Sequence, residues 1–499
     1  MQDSVRFLLD GEVIKINEID PTRTVLQYLR EDLQRTGTKE GCAEGDCGAC
    51  MVAIATLNEN EDGLDYVAIN SCIQFVATLD GKALITVESL SAPNGSLHPV
   101  QQAMVDCHAS QCGFCTPGFV MTLFALYQTT KQPDRRAIND ALSGNLCRCT
   151  GYRPIVDAAV QMYQPASDDA ADIDNTGQSI AGFSHSAEPE MVQQLKRLKR
   201  TDTLRIGSAG RQIMAPKSIE KLAELLNEHP GSTILAGGTD VGLWVTKQFR
   251  DMDSLIYIGD VHALKTMDDS GDAIALGAAV TFSEAAPVIG QYYPDIVPLL
   301  RRFASPPVRN AATIGGNIAN GSPIGDSMPA LMVLGTEVTL RKGKQQRVLP
   351  LESLYIDYMV NALEPGEFVE NIVIPKPAPT QQFRTYKVSK RFDQDISAIC
   401  SAFALHLADG FAKDVRIAYG GVAGIPKRAA ACEAALEGQS FNEAVIRQAM
   451  AALDEDFTPL TDMRASDQYR RQAAKNTLYR YFVALTQPDV ALEVFDYDR

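Results

Sequence analysis

The sequence predicts an α+β protein of several domains, in which a β-rich part and a helical part precede two mixed parts. Its 499 residues suffice for about three domains of roughly 150 residues each. Hydrophobic residues make up 45% and charged residues 22% of the chain, as in ordinary globular proteins. Changes in the hydrophobic pattern predict the boundaries 1–88, 89–163, 164–204, 205–378 and 379–499.

The first part has the pattern of a small β-rich domain. Residues 4–16 alternate apolar and polar positions around Asp10-Gly11, which predicts a β-hairpin. A helix is predicted over 24–35, followed by a cysteine-containing loop at 41–50. A strand over 50–57 and further short strands to about residue 88 complete the domain.

The second part has helical periodicity and predicts a four-helix unit. Thr116 and Asp134 are expected to be N-caps, because hydroxyl and carboxylate groups accept the free N–H groups of a first turn. Residues 164–190 are polar, acidic and aperiodic, so we expect a linker that extends to about 204. The predicted helices are Leu97–Ala109, Pro117–Thr129, Arg135–Leu142 and Pro154–Tyr163.

The remainder of the chain predicts two α+β domains. From 205 to about 375, helical stretches alternate with short strands and glycine-rich turns. From about 382 to 490, strands come first and helices follow at 428–437, 441–454 and 464–485. The first region is predicted to be an α+β domain made of two parts. The second is predicted to be a separate C-terminal α+β domain.

Composition excludes several classes of function. A net charge of −16 disfavours binding to nucleic acid. No run approaches the ~18 apolar residues that a membrane span needs, and the first residues lack the basic and small-residue pattern of an export signal. We therefore expect a cytoplasmic protein, in which 11 cysteines serve metal or redox chemistry rather than disulfides.

The first group of cysteines has the spacing of an iron-sulfur loop. Cys42, Cys47 and Cys50 form Cys-x4-Cys-x2-Cys, and Cys72 follows further along, which is the plant-type ferredoxin arrangement. The intervening residues are mostly small, so backbone N–H groups are free to turn toward the sulfurs. This pattern predicts a 2Fe-2S cluster in a β-grasp, ferredoxin-like domain.

The second group of cysteines comes from two links between helices. Cys112 and Cys115 lie on one link, Cys147 and Cys149 lie on another, and together they predict a second 2Fe-2S cluster. A structural zinc site stays open as the alternative for either group, since four thiolates also bind zinc. The remaining cysteines, Cys107, Cys400 and Cys432, are expected to be buried apolar residues.

Two glycine-rich segments indicate a dinucleotide site. Residues 234–242 run from a strand through glycines into a helix, where backbone N–H groups can hold a pyrophosphate. Residues 313–326 form a second such run. A glycine-rich turn alone is weak evidence, because many of these turns bind nothing.

Together these motifs resemble the molybdenum hydroxylase family, in particular its purine-oxidising members. The likeness rests on the ferredoxin-like loop, on Gln111-Cys-Gly-Phe-Cys-Thr-Pro-Gly118 and on Gly144-Asn-Leu-Cys-Arg-Cys-Thr-Gly-Tyr152. It implies that the helical cluster lies nearer the molybdenum, that the ferredoxin-like cluster lies nearer the flavin, and that FAD is held by a domain that is not a Rossmann fold. The FAD-binding residues it implies are Ile234, Leu235, Ala236, Gly237, Gly238, Thr239, Asp240, Val241, Phe303, Thr313, Gly316, Asn317, Asp326, Val369 and Lys387.

The resemblance also implies a partner. It covers nearly the whole chain except the linker and leaves no segment for substrate hydroxylation, so no catalytic residue is expected here and a large molybdopterin-binding subunit is expected, in a heterotetramer. Electrons would pass from that subunit through both clusters to FAD and then to NAD. Phe392 stands where some relatives carry arginine, which leaves the acceptor open. An aldehyde or N-heterocycle dehydrogenase subunit and a free-standing electron carrier are the alternatives.

Overall fold

A computed structural model describes residues 3–91, 94–164, 188–490 and 492. The chain forms two compact units. The first contains Met1–His262 and Ser305–Ala312, and the second contains Ala263–Ala304 and Thr313–Arg499.

The first unit begins with a five-stranded β-grasp sheet of order β2-β1-β5-β3-β4, in which only β1 and β5 are parallel. Its predicted hairpin is confirmed, with Asp10 and Gly11 at positive φ of 55° and 78°, as a two-residue turn of this type requires. Thr24 caps a short α-helix, Val25–Gln27, that continues as a π-helix, Tyr28–Asp32. The strands are β1 Val5–Leu9, β2 Glu12–Ile16, β3 Met51–Leu57, β4 Leu64–Asn70 and β5 Ala83–Ile85.

The helical part contains all four predicted helices. Asp134 caps its helix as expected, with its Oδ1 accepting from Ala137 N at 2.7 Å. The cap predicted at Thr116 is wrong: Cys115 is the N-cap and has no capping side-chain bond. The Thr116 hydroxyl instead shares a 2.7 Å hydrogen bond with the Ser110 hydroxyl. The helices are Pro99–Asp106, Thr116–Thr129, Arg135–Leu142 and Arg153–Gln161.

A further helix, Glu188–Leu198, lies inside the stretch that the sequence analysis assigned to a linker. Met191, Val192, Leu195 and Leu198 are buried on one side of it. Their spacing of three and four residues is that of an amphipathic helix, which the polar composition of the stretch obscures. The predicted linker residues 165–187 lie outside the described residues.

A second sheet in the first unit shares a hydrophobic core with the β-grasp sheet. Its order is β6-β7-β9-β8, and β9 pairs in parallel with both β7 and β8. Phe7 and Ile54 of the first sheet belong to the same core as Ile213 and Leu255 of the second. The two sheets therefore form one packed body across the predicted boundaries. Its elements are β6 Leu204–Ser208, β7 Arg211–Ala215, β8 Thr233–Leu235, β9 Ser254–Tyr257 and the helices Ile219–Glu228, Val241–Thr246 and Pro306–Arg309.

The second unit contains an antiparallel sheet of order β10-β11-β16-β12-β13, a small hairpin, and a sheet of order β17-β18-β19-β20 with helices packed on it. The three predicted C-terminal helices are confirmed. Among the described residues, no helix is both long and apolar enough to cross a membrane.

The strands of this unit are β10 Met267–Asp268, β11 Ala273–Gly277, β12 Glu337–Lys342, β13 Gln345–Pro350, β14 Tyr355–Asp357, β15 Val360–Asn361, β16 Phe368–Pro375, β17 Gln381–Val388, β18 Ile399–Ala408, β19 Phe411–Gly420 and β20 Lys427–Arg428. Its α-helices are Phe282–Tyr292, Val297–Arg301, Ile314–Asn320, Ser327–Val333, Ala430–Leu436, Glu443–Asp456 and Asp467–Thr486.

Candidate iron-sulfur and flavin sites

The four cysteines of the first quartet lie at one edge of the β-grasp sheet. Cys42 and Cys47 are half-buried on the loop that precedes β3. Cys50 stands directly before β3 and Cys72 follows β4, and they are only 1% and 2% exposed. The antiparallel pairing of β3 with β4 brings the two buried cysteines together.

Backbone amides of the loop converge on Cys42. Its Sγ accepts from the N–H groups of Glu44, Asp46 and Cys47 at 3.4, 3.3 and 3.3 Å. Hydrogen bonds from Cys47 and then Cys72 lower the pKa of the Cys42 thiol, while the hydrogen bond with Cys42 raises the pKa of Cys47. The thiols are thus close together, and the amides are placed to stabilise sulfur-centred negative charge, as a 2Fe-2S cluster requires.

Two glycines of this loop occupy crowded positions. A Cβ added to Gly41 would lie 2.8 Å from the Cys47 Sγ. Gly48 has a φ of +71°, and a Cβ there would lie 2.3 Å from the carbonyl oxygen of Gly144. The small residues of the motif therefore allow close packing around the sulfurs.

The cysteines of the second quartet lie on two links between helices. The Sγ atoms of Cys112 and Cys149 are 3.6 Å apart, and Cys115 forms a side-chain hydrogen bond with Cys147. Burial, followed by this contact, raises the pKa of the Cys115 thiol to about 12. Within the described ranges, no three or more His, Cys, Asp or Glu side chains are arranged to hold a single metal ion. The thiols lie instead as interacting pairs.

Three exposed apolar side chains stand beside the second quartet and form an apolar collar. Phe114, Leu146 and Tyr152 are 46%, 46% and 38% exposed. The Tyr152 hydroxyl accepts from Cys147 N at 3.0 Å, which places this ring at the quartet. All three residues lie within the two cysteine motifs, but no role was predicted for them. The sequence signal for them is a large apolar residue close to a loop cysteine.

Direct contacts join the two quartets. Leu146 N, next to Cys147, donates to the carbonyl oxygen of Cys47 at 3.0 Å. Asn145 is buried between the two regions, with Nδ2 at 3.4 Å from Gly48 O and Oδ1 accepting from the Thr122 hydroxyl at 2.8 Å. The loops that carry the quartets are therefore packed against each other.

The remaining cysteines stand apart from both quartets. Cys400 and Cys432 are fully buried, and this burial raises the pKa of each thiol. Cys107 is only half-buried, and its Sγ donates to the Gln161 Oε1 at 3.0 Å. The expectation of buried apolar cysteines is confirmed for the first two and is wrong for Cys107, because the C-terminal end of its helix leaves it near solvent.

Residues 236–240 form a turn, called here the glycine turn, between β8 and the helix Val241–Thr246. The carbonyl of Gly237 accepts from the Gln74 Nε2 at 2.6 Å, and the carbonyl of Gly238 accepts from Gly242 N at 2.7 Å. Because the C=O and N–H of a trans peptide point in opposite directions, the N–H groups of Gly238 and Thr239 face away from these partners. That arrangement fits an anionic pyrophosphate.

The glycine turn is closely packed. A Cβ on Gly237 would lie 1.7 Å from the carbonyl oxygen of Ala311, so only glycine is tolerated there. Ile234 lies in β8 and is half-buried, while Leu235 and Val241 are buried. Ala236 and Thr239 are half-buried in the turn, and burial raises the pKa of the Asp240 carboxyl.

Several predicted flavin-binding residues lie in the second unit, where most have partners within the protein. Thr313 Oγ1 caps its helix by accepting from Gly316 N at 3.0 Å. Asn317 Oδ1 accepts from the Ser327 hydroxyl at 2.6 Å. Val369 is buried in β16. The half-buried Phe303 packs on Phe282, with ring centroids 4.6 Å apart.

Asp326 and Lys387 form a buried ion pair whose side chains are each 3% exposed. The other carboxyl oxygen of Asp326 accepts from the Ser397 hydroxyl at 2.7 Å, and Lys387 donates to the same hydroxyl at 2.9 Å. A buried charge needs such pairing. The structure therefore places these two predicted residues together in one polar group.

Arg302, which is 6% exposed, supports the loop after β17. Its guanidinium donates to the carbonyl of Lys387 and the hydroxyl of Ser389, both at 2.9 Å. It also lies over the Phe392 ring, 4.9 Å from the centroid. Phe392, which stands where some relatives carry arginine, therefore packs against Arg302 from another segment.

Four family models match consecutive parts of the chain. A 2Fe-2S iron-sulfur cluster binding domain matches residues 7–77, and a [2Fe-2S] binding domain matches 86–160. The FAD binding domain in molybdopterin dehydrogenase matches 188–377, and the CO dehydrogenase flavoprotein C-terminal domain matches 384–485. The predicted fold class is confirmed, and the chain belongs to the molybdenum hydroxylase family of oxidoreductases, as a flavoprotein with 2Fe-2S domains.

Curated relatives include purine- and aldehyde-oxidising members by name. Xanthine dehydrogenase of Emericella nidulans is 30% identical over 96% of this chain and 38% of the relative. Xanthine dehydrogenase/oxidase of Mus musculus is 28% identical over 97% and 39%. Aldehyde oxidase 1 of Bos taurus is 27% identical over 96% and 39%. The chain thus spans less than half the length of each.

Solved structures are similar over about half of the chain. A carbon monoxide dehydrogenase from Hydrogenophaga pseudoflava has a TM-score of 0.52 and 25% identity, covering 54% of this chain and 94% of that one. Quinoline 2-oxidoreductase from Pseudomonas putida 86 has a TM-score of 0.50 and 23% identity, covering 55% and 96%. The second likeness supports the fold alone.

Proposed function

We propose that this chain is the iron-sulfur and FAD subunit of a xanthine dehydrogenase. A large molybdopterin-binding subunit would oxidise hypoxanthine or xanthine in purine catabolism, and this chain would conduct the electrons through two 2Fe-2S clusters to FAD and then NAD. The observation that carries the proposal is a chain of contacts in the first unit. The loop of the second quartet contacts the loop of the first, and Ile73 and Gln74, next to Cys72, contact the glycine turn. The assembly would be a cytoplasmic heterotetramer of two small and two large subunits.

The two quartets would each hold one cluster. Clusters carry single electrons, and a flavin converts them into the two-electron hydride that NAD takes up. Cys50 and Cys72 would bind from the protein interior, while the amides around Cys42 would stabilise the charge of their cluster. The second cluster would be held by Cys112, Cys115, Cys147 and Cys149.

The exposure of the second quartet supports the direction of transfer. Cys112 and Cys149 are exposed, and the apolar collar beside them would be covered by the large subunit. Exposed aromatic and aliphatic side chains around a reactive centre are typical of a protein interface. Electrons would therefore enter at the second quartet and reach the flavin by way of the first.

The glycine turn would bind the FAD pyrophosphate through the N–H groups of Gly238 and Thr239. By family resemblance, Phe303 would pack near the isoalloxazine ring. Thr313 would also contact the cofactor, because its hydroxyl keeps an O–H to donate after capping Gly316. The same resemblance assigns contacts to Asn317, Asp326, Val369 and Lys387.

Two other functions compete with this proposal. The aldehyde oxidase relative favours an equivalent subunit that serves an aldehyde dehydrogenase, and an N-heterocycle dehydrogenase is the related alternative. A free-standing carrier would instead dock transiently with several oxidases. The apolar collar disfavours that carrier, since exposed apolar side chains grouped together favour a protein–protein interface.

Isolation of the native complex tests the proposal. A stable complex that contains molybdenum and reduces NAD with xanthine is expected, and aldehydes and quinoline serve as comparison substrates under the same conditions. Preference for either comparison substrate would replace xanthine in the assignment. Isolation of the native chain as a monomer, with no large subunit, would instead support the free-standing carrier.

A further inference from the structure

Residues 237–247 contact the β-grasp domain at three places in the first unit. Gln74 donates to Gly237 O at 2.6 Å, near the start of the segment. Gly242 lies against the backbone of Ile73 in the middle. At the end, Lys247 Nζ donates to the carbonyl oxygen of Cys42 and lies 3.7 Å from the Glu44 carboxylate. The segment therefore runs along the loop and the strand end that carry the first quartet.

Gln74 is the contact that controls backbone orientation. It lies two residues after Cys72 and is only 8% exposed. Its hydrogen bond to Gly237 O fixes the plane of the peptide between Gly237 and Gly238. Because that peptide is planar, the same bond fixes the direction of the Gly238 N–H.

The glycines of the segment permit this close approach. A Cβ on Gly238 would lie 2.9 Å from Ile73 O, and one on Gly242 would lie 2.7 Å from the same oxygen. Backbone atoms cannot move aside as the end of a flexible side chain can. The glycine turn and the start of the following helix therefore pack directly against Ile73.

We propose that Gln74 is a positioning residue that couples the first iron-sulfur site to the flavin site. By holding the Gly237 carbonyl, it directs the Gly238 N–H toward the pyrophosphate and keeps the glycine turn seated on the Cys72 strand end. This inference deepens the proposed function and rests on it. The β-grasp part contributes the iron-sulfur site and the flavin-binding part contributes the flavin site. Under this proposal, the Gln74 side chain aligns the two sites.

Removal of the Gln74 amide tests the proposal in the full chain. Gln74→Met keeps the length of the side chain but leaves the Gly237 carbonyl without its donor. A lost hydrogen bond of this kind predicts an FAD dissociation constant raised about three- to tenfold, measured by fluorescence titration. The EPR signals of both clusters should keep their intensity, which general unfolding would not allow.

Gln34→Met is the matched control. Gln34 also donates a side-chain N–H to a backbone carbonyl, that of Glu31 at 2.8 Å, but on the exposed surface of the same domain. Its FAD affinity should equal that of the wild type. The proposal is overturned if the two glutamine variants bind FAD within about twofold of each other.

Gly242→Ala tests the packing of this segment against Ile73 while Gln74 is unchanged. Its added Cβ would press on Ile73 O and lift the turn, so FAD affinity should again fall while both EPR signals remain. Gly231→Ala is the control, because no atom lies within 4 Å of a Cβ there. If Gln74→Met does not fold, equal FAD affinity in these alanine variants overturns the proposal. A wild-type chain that binds no FAD would overturn the proposed function instead.

Discussion

The two cysteine quartets lie in the same unit but differ in how the fold surrounds them. In the first quartet, Cys50 and Cys72 are 1% and 2% exposed, and the loop is packed against other backbone segments. In the second quartet, Cys112 and Cys149 are exposed beside the apolar collar. The first site is therefore held by the interior of the protein, whereas the second is presented at its surface.

This structural difference matches the opposite requirements of the two proposed cluster sites. A site between two other redox centres needs fixed distances, which close backbone packing provides. A site that receives electrons from a partner needs an accessible edge and an adjoining docking surface. Substitutions around the first quartet should therefore affect stability, and substitutions around the second should affect partner binding.

The largest effect is expected at Arg200, which anchors the domain of the first quartet. Its buried guanidinium donates to Asp80 at 2.9 Å, to Ala215 O at 2.7 Å and to Asp260. Arg200→Met would leave the buried Asp80 carboxylate without its ion-pair partner and would leave Asp260 with Lys217, 3.4 Å away. It should lower the free energy of unfolding by about 3–5 kcal/mol. Denaturant titration measures this loss.

The exposed Arg148, between Cys147 and Cys149 of the second quartet, is the control. Arg148→Met should leave the free energy of unfolding unchanged. Equal destabilisation by both substitutions would remove the distinction between an anchored and a presented quartet.

The next largest effects are expected from glycine substitutions, which should destabilise the two cysteine loops to different extents. Gly48→Ala combines a positive φ with a Cβ 2.3 Å from a backbone oxygen and should cost on the order of 3 kcal/mol. Gly113→Ala, in the second quartet, has a φ of +81° but open space around the Cβ. It should cost only the roughly 1–2 kcal/mol of the left-handed backbone. Unfolding midpoints in denaturant compare the two, and the reverse order would contradict the packing difference.

Acidification should affect the helical part that carries the second quartet. His98 is fully buried between the rings of Phe124 and Tyr127, and burial lowers its pKa to about 4. The unfolded chain, with a histidine pKa near ~6.5, binds more protons, so stability falls as the pH drops from about 6.5 to about 4. The total loss from this residue is on the order of 3 kcal/mol.

His98→Gln should remove this part of the pH dependence, and the exposed His108→Gln should retain it. Melting temperatures measured across the same pH range provide the comparison. A wild-type and a His98→Gln chain with identical pH profiles would contradict the assignment.

The smallest effect on stability is expected at the apolar collar. Phe114→Ser and Leu146→Ser remove side chains that are 46% exposed, so unfolding should change little. Binding of the large subunit should weaken at least tenfold if these side chains are central to the interface. Val13→Ser is the control, because Val13 is 51% exposed on β2 of the other domain. Undiminished complex formation by both collar variants would place the partner elsewhere.

Local signals in the sequence predicted the cysteine loops and the individual helices, since ligand spacing, alternation and capping act over a few residues. The helix Glu188–Leu198 was missed because its polar composition obscured four spaced apolar residues. The cap predicted at Thr116 is wrong because the helix begins at Thr116 itself, so Cys115 occupies the N-cap position and the Thr116 hydroxyl bonds to Ser110. The shared core of the two sheets and the Gln74 contact join residues that are distant in the chain, so no local pattern reveals them.

The most direct test of the account is anaerobic reduction of the isolated full chain by NADH, followed by EPR and flavin absorbance. The wild type should show bleached FAD and two distinct 2Fe-2S signals. Cys147→Ser should lose one signal and still bleach FAD, while the control Cys107→Ser should behave as the wild type. Loss of both signals in Cys147→Ser, or zinc in place of iron in the wild type, would contradict two independent quartets that conduct electrons to a flavin.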